Sequence, residues 1–359
     1  TAGEKFGDAD LIGKLALARF GSLERAAQEF ISLKESWHSR LSALMVETPD
    51  PQFNSMINVW APYNALVNFA WSRSASLVYN GERDGYGFRD SVQDVLGVTA
   101  AIPAESRQRL ELMLTGQVST GGAMPLIKPF AHRPGHEKPP HAAEYRSDDC
   151  LWFFNAVPAY VAETGDLDFY HKVLPYADQG EATVFGHLRR ALDFNLERTG
   201  RNGLPCGLAA DWNDCIKLGY YGESLFVAFQ VHLGLTIYAE IAELLSKPAE
   251  AAWACQQRDQ LDANIQKCCW DGDWFIWAIG DDGTIYGTRD YEEGQVYLNT
   301  QVWSVISGAA TAEQAQRSMQ TVKERLASPY GLALFAPPLE KPPFDVMRAV
   351  LYLNGIKEN

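Results

Sequence analysis

Apolar residues recur at helical spacing along most of the chain, in stretches separated by short polar segments. Two such stretches lie within residues 9–45, and Gly21 and Ser22 separate them, with Ser22 at the start of the second helix. Further helices are predicted at residues 62–79, 90–100, 104–115, 148–163, 180–198, 222–246, 249–267, 296–308, 311–326 and 344–352. This succession of helices indicates an all-α protein and not a parallel α/β sheet.

One segment departs from the helical spacing. Residues 270–286 alternate between apolar and polar positions around the sequence Asp281-Asp282-Gly283. Alternation on both sides of an Asp-Gly turn is typical of two antiparallel strands. The sequence therefore predicts a small β-hairpin inserted between helices.

A polar loop at residues 207–214 carries the first candidate chemistry. It follows the turn-forming run at 202–205 and contains Asp211, Trp212, Asn213 and Asp214. An indole stacks on the apolar face of a sugar ring, and its low-dielectric surface raises the pKa of a neighbouring carboxyl towards that of a general acid. The alternative is a turn that caps the next helix, with Trp212 in the core. For Asp211 the structural, capping role is the favoured one.

A second set of polar residues lies between residues 62 and 90. The predicted helix 62–79 begins with Pro62 at its first position and is apolar on nearly all sides, so it is expected to be buried. Its only charge is Arg73, which must then be paired or face a polar cavity. Downstream, Arg89 and Asp90 stand at a loop–helix junction, where Ser91 or Asp90 is a candidate cap. An arginine beside an acid suits polyol recognition, and a buried structural ion pair is the alternative.

Taken together, these motifs resemble those of a known family. Trp-Ser-Arg at 71–73, Gly-Phe-Arg-Asp at 87–90 and Ala-Asp-Trp-Asn-Asp at 210–214 are similar to signature segments of the inverting glycoside phosphorylases of the cellobiose and N,N'-diacetylchitobiose phosphorylase type, glycoside hydrolase family 94. Supporting matches follow in order over residues 50–359, at 145–149, 181–184, 187–190, 297–303 and 355–359. Each segment is weak evidence alone, but the ordered set is specific.

The resemblance implies a fold and a domain division. It implies an (α/α)6 barrel, or helical toroid, over residues 36–359, behind a helical linker at residues 1–35. The family's N-terminal β-sandwich, the rest of the barrel and a C-terminal β-domain have no counterpart in the sequence. The barrel is thus expected to lack its C-terminal part, as in an internal piece of a longer enzyme or one chain of a fragmented one.

The resemblance also implies roles for six residues. Asp214 matches the general acid, Glu358 a residue near the +1 sugar, and four positions match residues that hold the non-reducing sugar in the −1 subsite: Arg73, Arg89, Asp90 and Trp212. The family's phosphate ligands, a His and a Thr-Gly pair, would follow the last residue of this sequence. No cofactor is implied, because inorganic phosphate is the co-substrate.

The implied reaction is an inverting phosphorolysis of a β-linked disaccharide, such as cellobiose, cellobionic acid or chitobiose, to an α-sugar 1-phosphate and a free sugar. An inverting hydrolase on the same barrel is one alternative, and it needs a second carboxylate, for which Glu358 and Asp149 are candidates. A carbohydrate-binding module without turnover is the other alternative.

Composition and charge limit the kinds of binding partner that are expected. The net charge of −14 and the pI near 5.0 argue against nucleic acid or an anionic membrane as a partner. No apolar run is expected to span a membrane, and no signal pattern begins the chain. The six cysteines lack metal-ligand spacing, which favours free thiols in the cytoplasm. His132, His136 and His141 lie in a Pro-rich loop, expected to be mobile, without accompanying acids, so no metal site is predicted. The resemblance adds a homodimer for the full-length protein.

Overall fold

The computed structural model describes residues 6–71, 85–214 and 216–340. Within these ranges the protein is mostly helical, as the sequence predicts. The helices are α1 Phe6–Phe20, α2 Leu23–Leu41, α3 Pro51–Ser55, a π-helical turn Met56–Trp60, α4 Ala61–Trp71, α5 Phe88–Leu96, α6 Pro103–Leu114, α7 Phe153–Thr164, α8 Val184–Leu196, α9 Leu225–Leu244, α10 Pro248–Cys268, α11 Leu298–Ile306 and α12 Ala312–Arg325. Short 3-10 helices lie at Ala142–Glu144, Asp149–Trp152 and Leu167–His171. The predicted helix 344–352 lies outside the described residues.

The strands are short, and every pair is antiparallel. They are β1 Tyr86–Gly87, β2 Leu126–Ile127, β3 Val173–Pro175, β4 Glu181–Thr183, β5 Glu223–Ser224, β6 Ala278–Ile279, β7 Ile285–Tyr286, β8 Val296–Tyr297, β9 Ala327–Ser328, β10 Gly331–Leu332 and β11 Phe335–Ala336. The predicted hairpin is confirmed, since β6 pairs with β7 across a turn in which Gly283 has a φ of +92°. Strand β5 extends it to three strands, next to the polar loop that precedes it.

Several helix starts follow from local capping. The Ser22 hydroxyl accepts a hydrogen bond from the Arg25 N–H at the start of α2, where the sequence places it. Thr311 and Gln314 form a reciprocal capping box at the start of α12, and Pro103 occupies the first turn of α6. These interactions fix helix boundaries without help from tertiary packing.

The core is built around α9, which contacts α7, α8, α10 and α11. This helix is long and apolar enough to cross a membrane by length and composition, contrary to the sequence expectation, but 78% of its most apolar window is buried inside the protein. Burial of this kind is typical of the central helix of a packed helical core. Phe229 and Tyr238 on α9 are among the largest fully buried side chains.

The segment around Pro62 differs from its prediction in two ways. The helix begins at Pro51, capped by the Asp50 carboxylate, and continues through the π-turn into α4, so Pro62 lies inside a helical run and not at its start. In the π-turn the Ala61 N–H bonds five residues back, to the Met56 carbonyl, just before the proline that has no N–H to donate. The expected burial on nearly all sides is also wrong for α4, where only Leu66 and Phe69 are buried.

Candidate active site

The polar loop at 207–214 is attached to a second segment, residues 145–149, by backbone hydrogen bonds. The Ala209 N–H donates to the Tyr145 carbonyl at 3.1 Å, and the Ser147 N–H donates to the Ala210 carbonyl at 3.0 Å. The Ser147 hydroxyl adds a bond to the Gly207 carbonyl. Main-chain pairing therefore fixes the relative position of two polar runs that lie about sixty residues apart in sequence.

A non-glycine residue in left-handed conformation shapes the loop itself. Leu208 has a φ of +55°, which is uncommon for a branched side chain and is found mostly where the surrounding structure imposes it. Downstream, Asp211 accepts from the Asn213 N–H at 2.7 Å and from the Ser224 hydroxyl at 2.6 Å. These bonds confirm a structural role for Asp211, as a turn-forming carboxyl and not as a helix cap.

Arg89 is the central contact of the site. One guanidinium nitrogen lies 3.2 Å from Asp148 and 2.8 Å from the Asp211 carbonyl oxygen, and the other lies 2.7 Å from Asp214. Asp148 is fully buried, and it also accepts from the Trp152 indole N–H at 3.0 Å. Arg89 thus joins the start of α5 to both polar segments, as a planar group with several fixed donors does well.

Asp214 is the accessible carboxylate of this network. Its side chain is 48% exposed and receives a second guanidinium, that of Arg146, at 3.2 Å. Asp214 and Arg146 line a cavity of about 490 Å³ together with Glu144, Asp149 and a few small apolar residues. An exposed acid that pairs with two arginines and lines a cavity is positioned to exchange a proton with a ligand.

The two acids at 148–149 are buried beside this cavity. Burial raises the pKa of Asp148, against the opposing effect of the Arg89 charge. Burial, and then the neighbouring Asp148 charge, raise the pKa of Asp149 well above its usual value. The 3-10 helix Asp149–Trp152 begins here and leads directly into α7, which anchors both acids in the helical core.

The pKa of Asp211 leads to a stability prediction. Burial raises this pKa to about 6, against the opposing hydrogen bonds of Ser224 and Asn213. Between the ordinary Asp value and that pKa, the folded protein keeps a proton that the unfolded chain releases, so the free energy of unfolding falls as pH rises through this window.

Asp211→Asn removes the titration. As the pH rises from 4 to 7, the free energy of unfolding of the variant is expected to increase by about 1–3 kcal/mol relative to that of wild type. Urea unfolding at several pH values tests this, and parallel stability curves for the two proteins would refute it.

Trp212 lines a small aromatic pocket and is not among the residues that line the Asp214 cavity. It is half-buried and lines this small pocket with Asp211, Asn213, Phe226, Trp277, Tyr297, Asn299 and Leu334. Trp277 and Tyr297 stack at 4.0 Å between ring centroids. Trp212 also packs against the main hydrophobic core, which is the packing role that the sequence left open as an alternative.

The structure brings together only some of the residues proposed from the sequence. Arg89 and Asp214 are in contact, and Trp212 lies two residues before Asp214, whereas Arg73 and Glu358 lie outside the described residues. Asp90 is half-buried in the first turn of α5, which begins at Phe88 with Gly87 as its N-cap residue, so Asp90 as the cap is wrong. A side chain at position 87 would come within 3.1 Å of the Asp90 carboxylate, a tight contact.

Sequence reasoning assigned no role to Arg146 or Asp148. Both belong to the run Tyr-Arg-Ser-Asp-Asp at 145–149, which was noted only as a supporting match. Two adjacent acids before an apolar helical stretch are also typical of a helix start, and that interpretation gave no reason to expect ion pairs with arginines.

The histidine loop makes side-chain contacts that its sequence did not predict. The His132 ring contacts the Thr115 hydroxyl at 3.1 Å and the Glu137 carboxylate at 3.0 Å, so an acid does accompany this histidine. His132 is almost fully buried, which ties the loop to the end of α6. Among the described residues, no group of three His, Cys, Asp or Glu side chains is arranged to hold a metal ion.

Comparisons with known proteins identify relatives of this chain. The chain is 35% identical to N,N'-diacetylchitobiose phosphorylase of Vibrio furnissii, over 97% of this chain and 46% of that protein. It is 30% identical to cellobionic acid phosphorylase of Neurospora crassa, over 88% of this chain and 39% of that protein. The chain therefore spans less than half the length of these curated relatives.

Solved structures show a shared fold at low identity. A cellobiose 2-epimerase from Bacillus thermoamylovorans has a TM-score of 0.52 and 9% identity, over 84% of this chain and 77% of that one. A rhamnosidase from Klebsiella oxytoca with rhamnose bound has a TM-score of 0.51 and 15% identity, over 81% and 50% of the two chains. The model of the glycosyl hydrolase 94 superfamily catalytic domain matches residues 36–359, and the chain belongs to that family.

Proposed function

We propose that this chain is the catalytic part of an inverting glycoside phosphorylase that cleaves a β-linked disaccharide with inorganic phosphate. The observation that carries the proposal is the Asp214 carboxylate, exposed on a cavity and held by Arg89 and Arg146. The similarity to phosphorylases that act on N,N'-diacetylchitobiose and cellobionic acid supports the reaction class.

In this mechanism Asp214 protonates the glycosidic oxygen while phosphate attacks C1 from the opposite face, which yields an α-sugar 1-phosphate. The protein needs an acid but no general base, because phosphate is already an anionic nucleophile. Arg89 fixes the acid relative to the sugar, and orientation of this kind contributes much of an enzyme's rate acceleration. Asp90, Arg73 and Trp212 are proposed to contribute to the −1 subsite, and Glu358 to the +1 sugar.

We infer an (α/α)6 barrel over residues 36–359 behind a helical linker at residues 1–35. The mostly helical fold, and its likeness to the epimerase and rhamnosidase structures, support the barrel. We further propose a cytoplasmic homodimer whose substrate is cellobiose, cellobionic acid or chitobiose.

Product analysis tests the proposed reaction. The full-length protein is incubated with each β-linked disaccharide, with and without inorganic phosphate, and the products are identified with their anomeric configuration. We expect an α-sugar 1-phosphate and a free sugar only when phosphate is present. Equal release of two free sugars without phosphate would contradict phosphorolysis and would indicate an inverting hydrolase instead. That alternative draws on one observation, because Asp149 supplies a second carboxyl on the cavity that contains Asp214.

We propose that the reaction needs no metal. General acid catalysis by Asp214 and attack by phosphate leave no step that calls for a Lewis acid. Turnover in excess chelator is therefore expected to equal that of untreated enzyme. A loss of activity that zinc restores would contradict this prediction and would direct attention to the loop containing His132.

A further inference from the structure

Asp149 is a buried acid that lines the cavity and has one unsatisfied oxygen. The residue is 2% exposed, and it lines the cavity together with Glu144, Arg146 and Asp214. Its Oδ1 atom has no hydrogen-bond partner among the described residues. Because a buried polar atom without a partner lowers stability, native proteins keep few of them, and those that persist need an explanation.

The preceding residue shows that the fold is able to satisfy an acid at this depth. Asp148 is equally buried, but Arg89 donates to both of its oxygens and the Trp152 indole N–H donates to Oδ2. The two acids are neighbours at the start of the same 3-10 helix, where successive side chains point in different directions. What distinguishes Asp149 is that it borders the cavity.

The protonation of Asp149 suits a particular ligand. Its raised pKa favours the neutral carboxyl group, which presents an O–H donor and acceptor oxygens together. The groups that act on it electrostatically are Asp148, Arg146, Arg89 and Asp214. A sugar hydroxyl likewise donates one hydrogen bond and accepts others. The pair is complementary without the need to bury a charge.

We propose that Asp149 binds a ring hydroxyl of the sugar held in this cavity, and that the ligand supplies the hydrogen-bond partner which the fold withholds. The inference rests on the proposed function only in taking the ligand to be a sugar. It assigns Asp149 to substrate binding and not to the activation of water.

Binding of defined sugars to the full-length protein tests this role. The probes are glucose, N-acetylglucosamine, cellobiose, cellobionic acid and N,N'-diacetylchitobiose, measured by titration calorimetry, and the three monodeoxyglucoses that lack the 2-, 3- or 6-hydroxyl. Asp149→Ala is expected to weaken the best probe about 3- to 10-fold, the value of one hydrogen bond. Asp149→Asn, which keeps an acceptor and a donor, is expected to lose less.

The deoxy sugars identify the contact itself. One monodeoxyglucose should bind wild type more weakly than glucose binds it. The same monodeoxyglucose and glucose should bind Asp149→Ala with equal affinity, because the variant has already lost the hydrogen bond to the missing hydroxyl. Ser318→Ala is the matched control. It also removes a fully buried, unpartnered hydroxyl, but from α12 and not from the cavity wall, so its sugar affinity should equal that of wild type.

Stability provides a readout that separates binding from a structural role. Removal of an unpartnered carboxyl should leave the melting temperature of Asp149→Ala unchanged or raise it. A clear fall in melting temperature would mean that the fold itself uses the carboxyl, and it would overturn the proposal. If the alanine variant fails to fold, the fold itself uses the carboxyl and the proposal is overturned on the same ground.

The remaining outcomes keep this inference distinct from the proposed reaction. Sugar binding that depends on Asp149, without release of sugar phosphate, would support the inference and contradict phosphorolysis. Phosphorolysis with unchanged affinity in Asp149→Ala would contradict the inference alone. Absence of any sugar binding to wild type would overturn the cavity as a sugar site and the inference with it.

Discussion

Asp214→Asn is expected to lower the rate of phosphorolysis by about 10²- to 10⁴-fold, the contribution of a positioned general acid. The asparagine side chain has nearly the same shape and still offers an oxygen to Arg89 and Arg146, so the loop should keep its conformation. It has no proton to give to the leaving oxygen. Disaccharide affinity should therefore stay within a few-fold of wild type while kcat falls.

A substrate with a better leaving group distinguishes loss of the general acid from a general loss of active-site structure. A glycosyl fluoride needs little protonation to depart, so Asp214→Asn should retain far more activity on the fluoride than on the disaccharide. Asp259→Asn is the control, since Asp259 is a strongly exposed acid on α10 away from the cavity. Disaccharide turnover by Asp214→Asn close to that of wild type would remove Asp214 from the mechanism.

The helical architecture was predictable because its signals are local. Apolar spacing and the Ser22 cap each act within a few positions of one another, and the structure confirms both. The β-hairpin was predictable for the same reason, because its turn sequence and its strand alternation are contiguous.

The packing around Pro62 was not predictable in this way. A proline is most often placed at the first turn of a helix, but here a π-turn before it lets the helix begin eleven residues earlier, at Pro51. The apolar composition of α4 indicated burial, yet burial depends on which surfaces meet it, and composition does not encode those surfaces.

The candidate site was predictable in its parts but not in its connections. The loop chemistry around Asp214 and the junction at Arg89 are visible in sequence as unusual polar runs. Their contact spans 125 residues, and the contact of Arg89 with Asp148 spans 59. Long-range pairing of this kind leaves no periodic signal in a single sequence, so Arg146 and Asp148 were missed as partners.

Arg89→Met should be the most destabilising of the substitutions considered. It removes a guanidinium that is 11% exposed and leaves the fully buried Asp148 without its cation. Removal of one member of a buried ion pair costs about 3–5 kcal/mol, because the remaining charge is then uncompensated. Denaturant unfolding measures this loss. Arg107→Met, at a more exposed arginine that pairs with Glu111 and Asp166, is the control and should cost much less.

The pH dependence of that loss identifies its cause. Burial already raises the pKa of Asp148, and Arg89 is the leading influence that opposes the rise, so the carboxyl in Arg89→Met should hold its proton to higher pH. The variant should then be less destabilised at pH 5 than at pH 8, because a neutral acid needs no cation. Asp148→Asn removes the charge directly and should recover much of the lost stability when combined with Arg89→Met. If the double variant were no more stable than Arg89→Met alone, the guanidinium would stabilise the fold by packing and by its bond to the Asp211 carbonyl, and not by compensating Asp148.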